Sequence, residues 1–342
     1  MEGRNASRLA LFDLRGDGCF FDSTGEQVVV LGVADLQVFF DSLDRWFEAP
    51  IGRKLLFAAA DAEELVLQSE SFLLPKWFGK NRVFQAMRER CIQMGWGVFE
   101  DDMIKFPIHD TLAVGFSLAH REHATGSRWN VEWHQQSSEH IRLAFQPKPQ
   151  AMHPATRPNA MAWGQCLTSN PLASQCVLDI DERPYGFFVG EQRCAFFPVA
   201  FFDLLTDQLR GRRFSPTHKA EVPLTCPGDL PNIDLFSALV GAAKEMFQNS
   251  STPVYVRHNL DWEELLTQRF TNFGYGRVEV KQSIVEGGDQ TVFSIHSSIP
   301  AFACGVLMGM WERCHGLRCE GRVEIHENNV ELFIGKPAVD YS

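Results

Sequence analysis

Gly95-Trp96-Gly97-Val98-Phe99-Glu100 and Gly274-Tyr275-Gly276-Arg277-Val278-Glu279 are the stretches on which the fold turns. In each, an apolar-periodic run stops at the first glycine, the residue best suited to the left-handed turn beyond a helix. A β-rich segment follows the aromatic. One such junction is commonplace. Two of them, each set in a similar order of segments, predict one ancestral unit written twice.

The match extends in both directions. Upstream, Leu11-Phe12-Asp13-Leu14 leads through Gly25-Glu26-Gln27 to an apolar run, and Val177-Leu178-Asp179-Ile180 leads through Gly190-Glu191-Gln192 to another. Both read as strand, turn, strand. Asp35-Leu36 opens a helical pattern through Phe39, Phe40, Leu43 and Phe47. Asp234-Leu235 opens a similar one through Leu239, Ala243 and Phe247, the aspartate standing where a helix N-cap belongs. An alternative register sets the run from Phe201 to Leu209 against Phe39 to Leu43. Glu63-Glu64-Leu65 is matched with Glu263-Glu264-Leu265. Downstream, Phe106-Pro107-Ile108-His109 is matched with Phe293-Ser294-Ile295-His296. A helix and two closing strands follow each, ending at Lys148-Pro149 and Lys336-Pro337.

Short turns between strands imply antiparallel pairing, and the helical runs need a sheet face to cover. The expected class is α+β: two units, each an antiparallel sheet covered by helices. Unit 1 spans 1–150, a proline-rich linker 151–175, and unit 2 176–342, with a loop insertion near 210–233. Smaller insertions are expected near 69–80 and around Glu286-Gly287-Gly288.

Composition narrows the function. With 342 residues, 45% hydrophobic and 22% charged, the chain is globular. A formal charge of −11 argues against nucleic acid, which is bound through basic surfaces. No apolar run approaches the roughly 20 residues of a membrane span, and Met1 to Arg8 is polar, so a cytoplasmic protein is expected. Nine cysteines without a CxxC pair read as reduced thiols, mostly in the core. Twenty-eight phenylalanines against four tyrosines give a phenylalanine-rich core, or, read functionally, a large apolar cavity.

No dinucleotide fingerprint, phosphate loop, HExxH or GxSxG is present, so no catalytic residue is assigned and the chain leans away from being an enzyme. His120 and His123 flank Glu122 and are expected on an exposed polar helix face, with metal binding as the sharper alternative. His109 and His296 form a repeated pair. A histidine capping the next helix is the plain account, and a ligand contact the other. Trp96 and Tyr275 read as buried rings holding helix to sheet, or as rings stacked on a ligand.

The order helix, Gly-Trp-Gly, strands, helix, strand pair resembles the vinyl-4-reductase domain, a family related to transport-particle (TRAPP) subunits and nitric-oxide-signalling domains. Gly95-Trp96-Gly97, Gly274-Tyr275-Gly276 and the stretch from Ser298 to Pro337 carry the resemblance, which covers most of both units. It implies a pocket between sheet and helices for a hydrophobic or aromatic small molecule, and a pairing of units that this chain could build internally. The expected lining is Trp96, Phe99, Phe106, His109, Tyr275, His296, Phe302 and Trp311. Family members also place cysteines near the last helix and closing strands, where they can hold a metal. Here only Cys304, Cys319 and His326 stand as weak candidates, so no metal and no cofactor is assigned.

A non-catalytic binding or sensor protein is therefore the first expectation. An accessory factor or enzyme of tetrapyrrole metabolism, and a TRAPP-like scaffold for protein partners or further copies of itself, are the alternatives.

Overall fold

The computed structural model describes residues 12–69, 79–152, 155–158, 163, 178–215, 224–226, 231–283 and 290–337. The expected insertions near 69–80 and at 286–288, and most of the 151–175 linker, lie outside them. In chain order the elements are β1 (Asp13–Leu14), β2 (Phe20–Phe21), β3 (Gln27–Gly32), α1 (Val33–Arg45), α2 (Gly52–Leu67), α3 (Gly79–Met94), β4 (Val98–Phe99), β5 (Met103–Lys105), α4 (Asp110–Thr125), β6 (Ser127–Ser137) and β7 (His140–Ala151). They continue with β8 (Ile180–Arg183), β9 (Gly186–Val189), β10 (Gln192–Pro198), α5 (Ala200–Leu209), β11 (Leu224–Thr225), α6 (Ile233–Asn249), α7 (Asn259–Arg269), β12 (Arg277–Ser283), β13 (Gln290–His296), α8 (Pro300–His315), β14 (Glu320–Ile325) and β15 (Val330–Gly335). The class is α+β with antiparallel sheets.

The unbroken apolar run of β3 is buried on both faces from Val28 onward, as a strand must be when covered on both sides. Its neighbour is β10 from the other half of the chain, paired antiparallel with Val30 opposite Phe196. The central sheet runs β1-β2-β3-β10-β9-β8, three strands from each half. The aromatic of each glycine-flanked triplet reaches across it. Trp96 Nε1 donates to the Phe196 carbonyl at 2.8 Å and Tyr275 Oη to the Val30 carbonyl at 2.8 Å. The carbonyls used are those of the facing pair, so the two contacts are related by a local two-fold between β3 and β10.

Glycine is required at these junctions. Gly97 and Gly276 have φ of 114° and 100°, and a Cβ on Gly276 would lie 2.1 Å from the His296 carbonyl. The helices form two close pairs, α2 with α4 and α6 with α8, while α1, α3 and α5 lie against the central strands. Each crossing depends on one glycine: a Cβ on Gly115 would meet the Leu56 carbonyl at 2.4 Å, and on Gly305 the Val240 carbonyl at 2.3 Å. The helices that follow the central strands pack on the opposite half, α1 on α6 and α5 on α2.

These contacts revise part of the internal alignment. The glycine crossings make α2 the counterpart of α6, and α1 that of α5. The register setting Phe201 to Leu209 against Phe39 to Leu43 is the one the packing supports. The matches Asp35 with Asp234 and Glu63-Glu64 with Glu263-Glu264 join residues on non-equivalent helices, α1 with α6 and α2 with α7. A helical apolar period is too repetitive to fix register by itself.

Two outer sheets share one strand order. The first is β4-β5-β7-β6 and the second β12-β13-β15-β14, extended by β11, which lies parallel to β14. β7 continues through Pro147 and Pro149 to Ala151, so the start of the proline-rich segment is strand. No helix among the described residues is long and apolar enough to cross a membrane.

Candidate functional site

Two arrangements stand out, an aromatic cleft and a buried charged cluster. The cleft lies where α1, α5 and the start of α8 meet. Phe39, Phe202 and Phe302 form its wall, with ring centroids 5.3 Å (Phe39–Phe302), 6.2 Å (Phe202–Phe302) and 6.3 Å (Phe39–Phe202) apart. Asp203, Thr206 and Ser298 add polar groups, and Trp163 adds a further aromatic ring. Burial pushes the Asp203 carboxyl up to about 6. The Thr206 hydroxyl donates to backbone carbonyls of its own helix, and Ser298 Oγ accepts from Gln27 at 2.8 Å. Trp163 sits edge-on to Phe236 at 5.3 Å. The cleft volume is about 30 Å³, room for roughly two water molecules.

The charged cluster joins α2, α3, α4 and the turn after β2. Arg90 donates to Asp22 at 3.0 Å and to Glu63 at 3.1 Å, and His120 Nε2 lies 3.0 Å from the same Glu63 oxygen. Glu63 is fully buried. Burial pushes its carboxyl up, but Arg90 and His120 outweigh that and hold it below its ordinary range. Arg90 Nη2 is buried with no hydrogen-bond partner among the described residues. Cys91 Sγ stands 4.0 Å from His120 Nδ1, so thiol, imidazole and carboxylate lie in series. That order suits nucleophilic catalysis, but burial holds the Cys91 thiol well above its ordinary value, and a thiol rather than a thiolate is a poor nucleophile. Through Arg90, Glu63 and His120 the cluster ties α2, α3 and α4 together. A neighbouring network joins Glu64 and Glu122 through Arg128.

The eight expected lining residues do not converge on one cavity. Phe302 lines the cleft, and Tyr275 stacks behind it at 5.5 Å. Trp96 is buried against Phe116, rings 3.9 Å apart and nearly parallel. Phe99 packs toward His120, and Phe106 stacks on Tyr185 at 4.5 Å. Trp311 donates to Thr291 and stacks on His315.

The repeated histidines are not equivalent. His296 ends β13, paired with Arg277, and Nδ1 contacts the Asn328 carbonyl. The residue opposite Val98 at the matching place is Lys105. His109 precedes α4 at its N-cap, where α8 has Ile299. No side-chain cap bond is made; the His109 ring packs on Phe40 at 5.4 Å, and its Nδ1 has no hydrogen-bond partner among the described residues. Burial lowers its pKa to about 4.

His120 and Glu122 are buried, not on an exposed polar face, because α4 turns them toward α2 and β6. Cys304 and Cys319 are core residues, the latter beside the Met308 carbonyl. His326 lies apart from them on the exposed β14–β15 hairpin with Glu324 and Glu331.

Sequence reading missed Phe39, Phe202, Asp203, Glu63 and Arg90 as site residues. A signal existed for two: Asp203 lies in Phe201-Phe202-Asp203-Leu204-Leu205 and Glu63 in an alanine- and leucine-rich helix, each an acid on an apolar face.

The class this architecture defines is an α+β protein with a shared central sheet and two outer sheets of matching order. No protein-family model, no curated protein and no solved structure matches the chain.

Proposed function

We propose that the chain is a non-catalytic protein that binds a small hydrophobic or aromatic molecule, built from two vinyl-4-reductase-like units arranged as an internal pair. The observation that carries the reading is the aromatic cleft: three phenylalanine rings and the Asp203 carboxyl meet at the junction of helices from both halves. Apolar contacts would supply affinity, and a carboxyl protonated below about pH 6 would orient a polar edge. At about 30 Å³ the cleft takes a ring only if its lining side chains give way. A tetrapyrrole is far larger, which weighs against that alternative.

Native mass spectrometry with a visible absorption spectrum, on protein from its own host, tests the reading. Extra mass without colour, lost on Phe302→Ala, is the expected result. A Soret-like band would move the reading to tetrapyrrole handling. A clean apo mass, unchanged by candidate aromatic ligands, would overturn both and favour a scaffold.

A further inference from the structure

β6 is the longest uncovered sheet edge among the described residues. It ends the order β4-β5-β7-β6 and pairs only with β7. Its counterpart β14, which likewise follows a helix capped by a left-handed glycine, has the start of its outer edge, Gly321 and Arg322, covered by β11.

The side of β6 that is open can be read from the ladder. Leu143 donates its N–H to the Asp102 carbonyl, away from β6. Antiparallel neighbours alternate between exchanging hydrogen bonds and turning them outward. Trp133, opposite Leu143, therefore turns its own N–H and C=O to the free edge, as do Val131 and Gln135. On the other flank of the same ribbon the chain has placed Pro147 and Pro149 in β7. In the same alternation Pro147, opposite Trp129, turns its missing N–H to the side away from β6, and Pro149 lies in the irregular stretch that follows. Proline there blocks further pairing. β6 has no proline and no lysine, and its Trp133 is 40% exposed.

We infer that β6 is a self-association edge, which pairs antiparallel with β6 of a second copy about a two-fold at Trp133. That register lets Trp133 exchange both backbone hydrogen bonds with its copy. It sets Val131 opposite Gln135 and Glu132 opposite His134, so each exposed carboxylate meets an imidazole and no like charges face each other. The tryptophans, exposed on this edge, then cover one another across the axis. This interface is separate from the aromatic cleft and does not depend on a ligand.

Sedimentation equilibrium on the full chain, at micromolar to sub-millimolar concentration, tests it, together with Trp133→Lys and Trp133→Cys. A dimer is expected, weakened roughly thirtyfold or more by Trp133→Lys, as when an interface hot-spot tryptophan is lost. With a short thiol-reactive cross-linker Trp133→Cys should give a covalent dimer that the parent chain does not, since the facing residues lie about 5.5 Å apart, wider at Cβ than a direct disulfide spans. Trp133 is exposed enough that circular dichroism should show both variants folded. A monomer throughout the range overturns the inference. So does a dimer that Trp133→Lys leaves intact and Trp133→Cys fails to link, which would place association on another face.

Discussion

Glu63 is the most constrained ionised residue described here, and its neighbours show why. A buried carboxylate is tolerable only when paired and hydrogen-bonded, and Arg90 and His120 do both. Glu63→Ala would leave Arg90 with Asp22 alone. Breaking a buried pair costs about 3–5 kcal/mol, so the unfolding free energy from urea titration should fall by that amount and the midpoint with it. A loss below about 1 kcal/mol would mean that water reaches the cluster and that its role is other than structural. Titration gives a second test at this scale. Folded His109 takes a proton only near pH 4, whereas its ordinary value is 6.5. Its contribution is whole above pH 6.5 and lost as the pH falls from there toward 4. Folded Asp203 titrates at about 6 against an ordinary 3.8. Its contribution is present below 3.8 and lost as the pH climbs through 6, the opposite slope in the same window. Denaturation from pH 4 to 8 should show His109→Leu gaining most, relative to the parent chain, at the acid end and Asp203→Asn gaining most above pH 6. Identical pH profiles for the three proteins would show both groups to be hydrated.

At the scale of elements, the crossings at Gly115 and Gly305 set how closely helices approach. Gly115→Ala puts a Cβ where the Leu56 carbonyl stands, and forced overpacking costs about 1–3 kcal/mol. Gly52→Ala, at a helix start with open space around it, should be neutral or slightly stabilising. Thermal unfolding of the two variants should separate clearly; equal midpoints would mean that α2 and α4 can part at no cost. The sequence displayed these elements unevenly. Gly95-Trp96-Gly97 and its partner were visible because a backbone that must turn left-handed under a ring leaves few residue choices. The helices were visible as patterns but not in register, since any apolar helix resembles another at a shift of one turn. The cleft was not visible at all. Phe39 lies on α1 and Phe202 on α5, and only the crossing of each helix onto the other half brings them together.

For the whole molecule, the decisive fact is that β3 and β10 are neighbours. Residues 1–150 hold one half of the central sheet and residues 176–342 the other. Cut apart, each half would expose the backbone edge of a buried strand and the apolar face of the helix after it, α1 or α5. Burial at roughly 25 cal/mol per Å² is what offsets chain entropy, and each half would lose the share that lies along β3, β10, α1 and α5. Three consequences follow for experiment. The intact chain should unfold in one cooperative transition, with calorimetric and van't Hoff enthalpies agreeing. Fragment 1–150 and fragment 176–342 should each be unfolded or aggregated alone. Mixed or co-expressed, they should recover the circular dichroism of the parent and co-purify, because the Trp96–Phe196 and Tyr275–Val30 bonds both span the cut. Two resolved transitions, or a fragment that folds as a stable monomer, would show that the shared sheet is an accessory contact between self-sufficient domains.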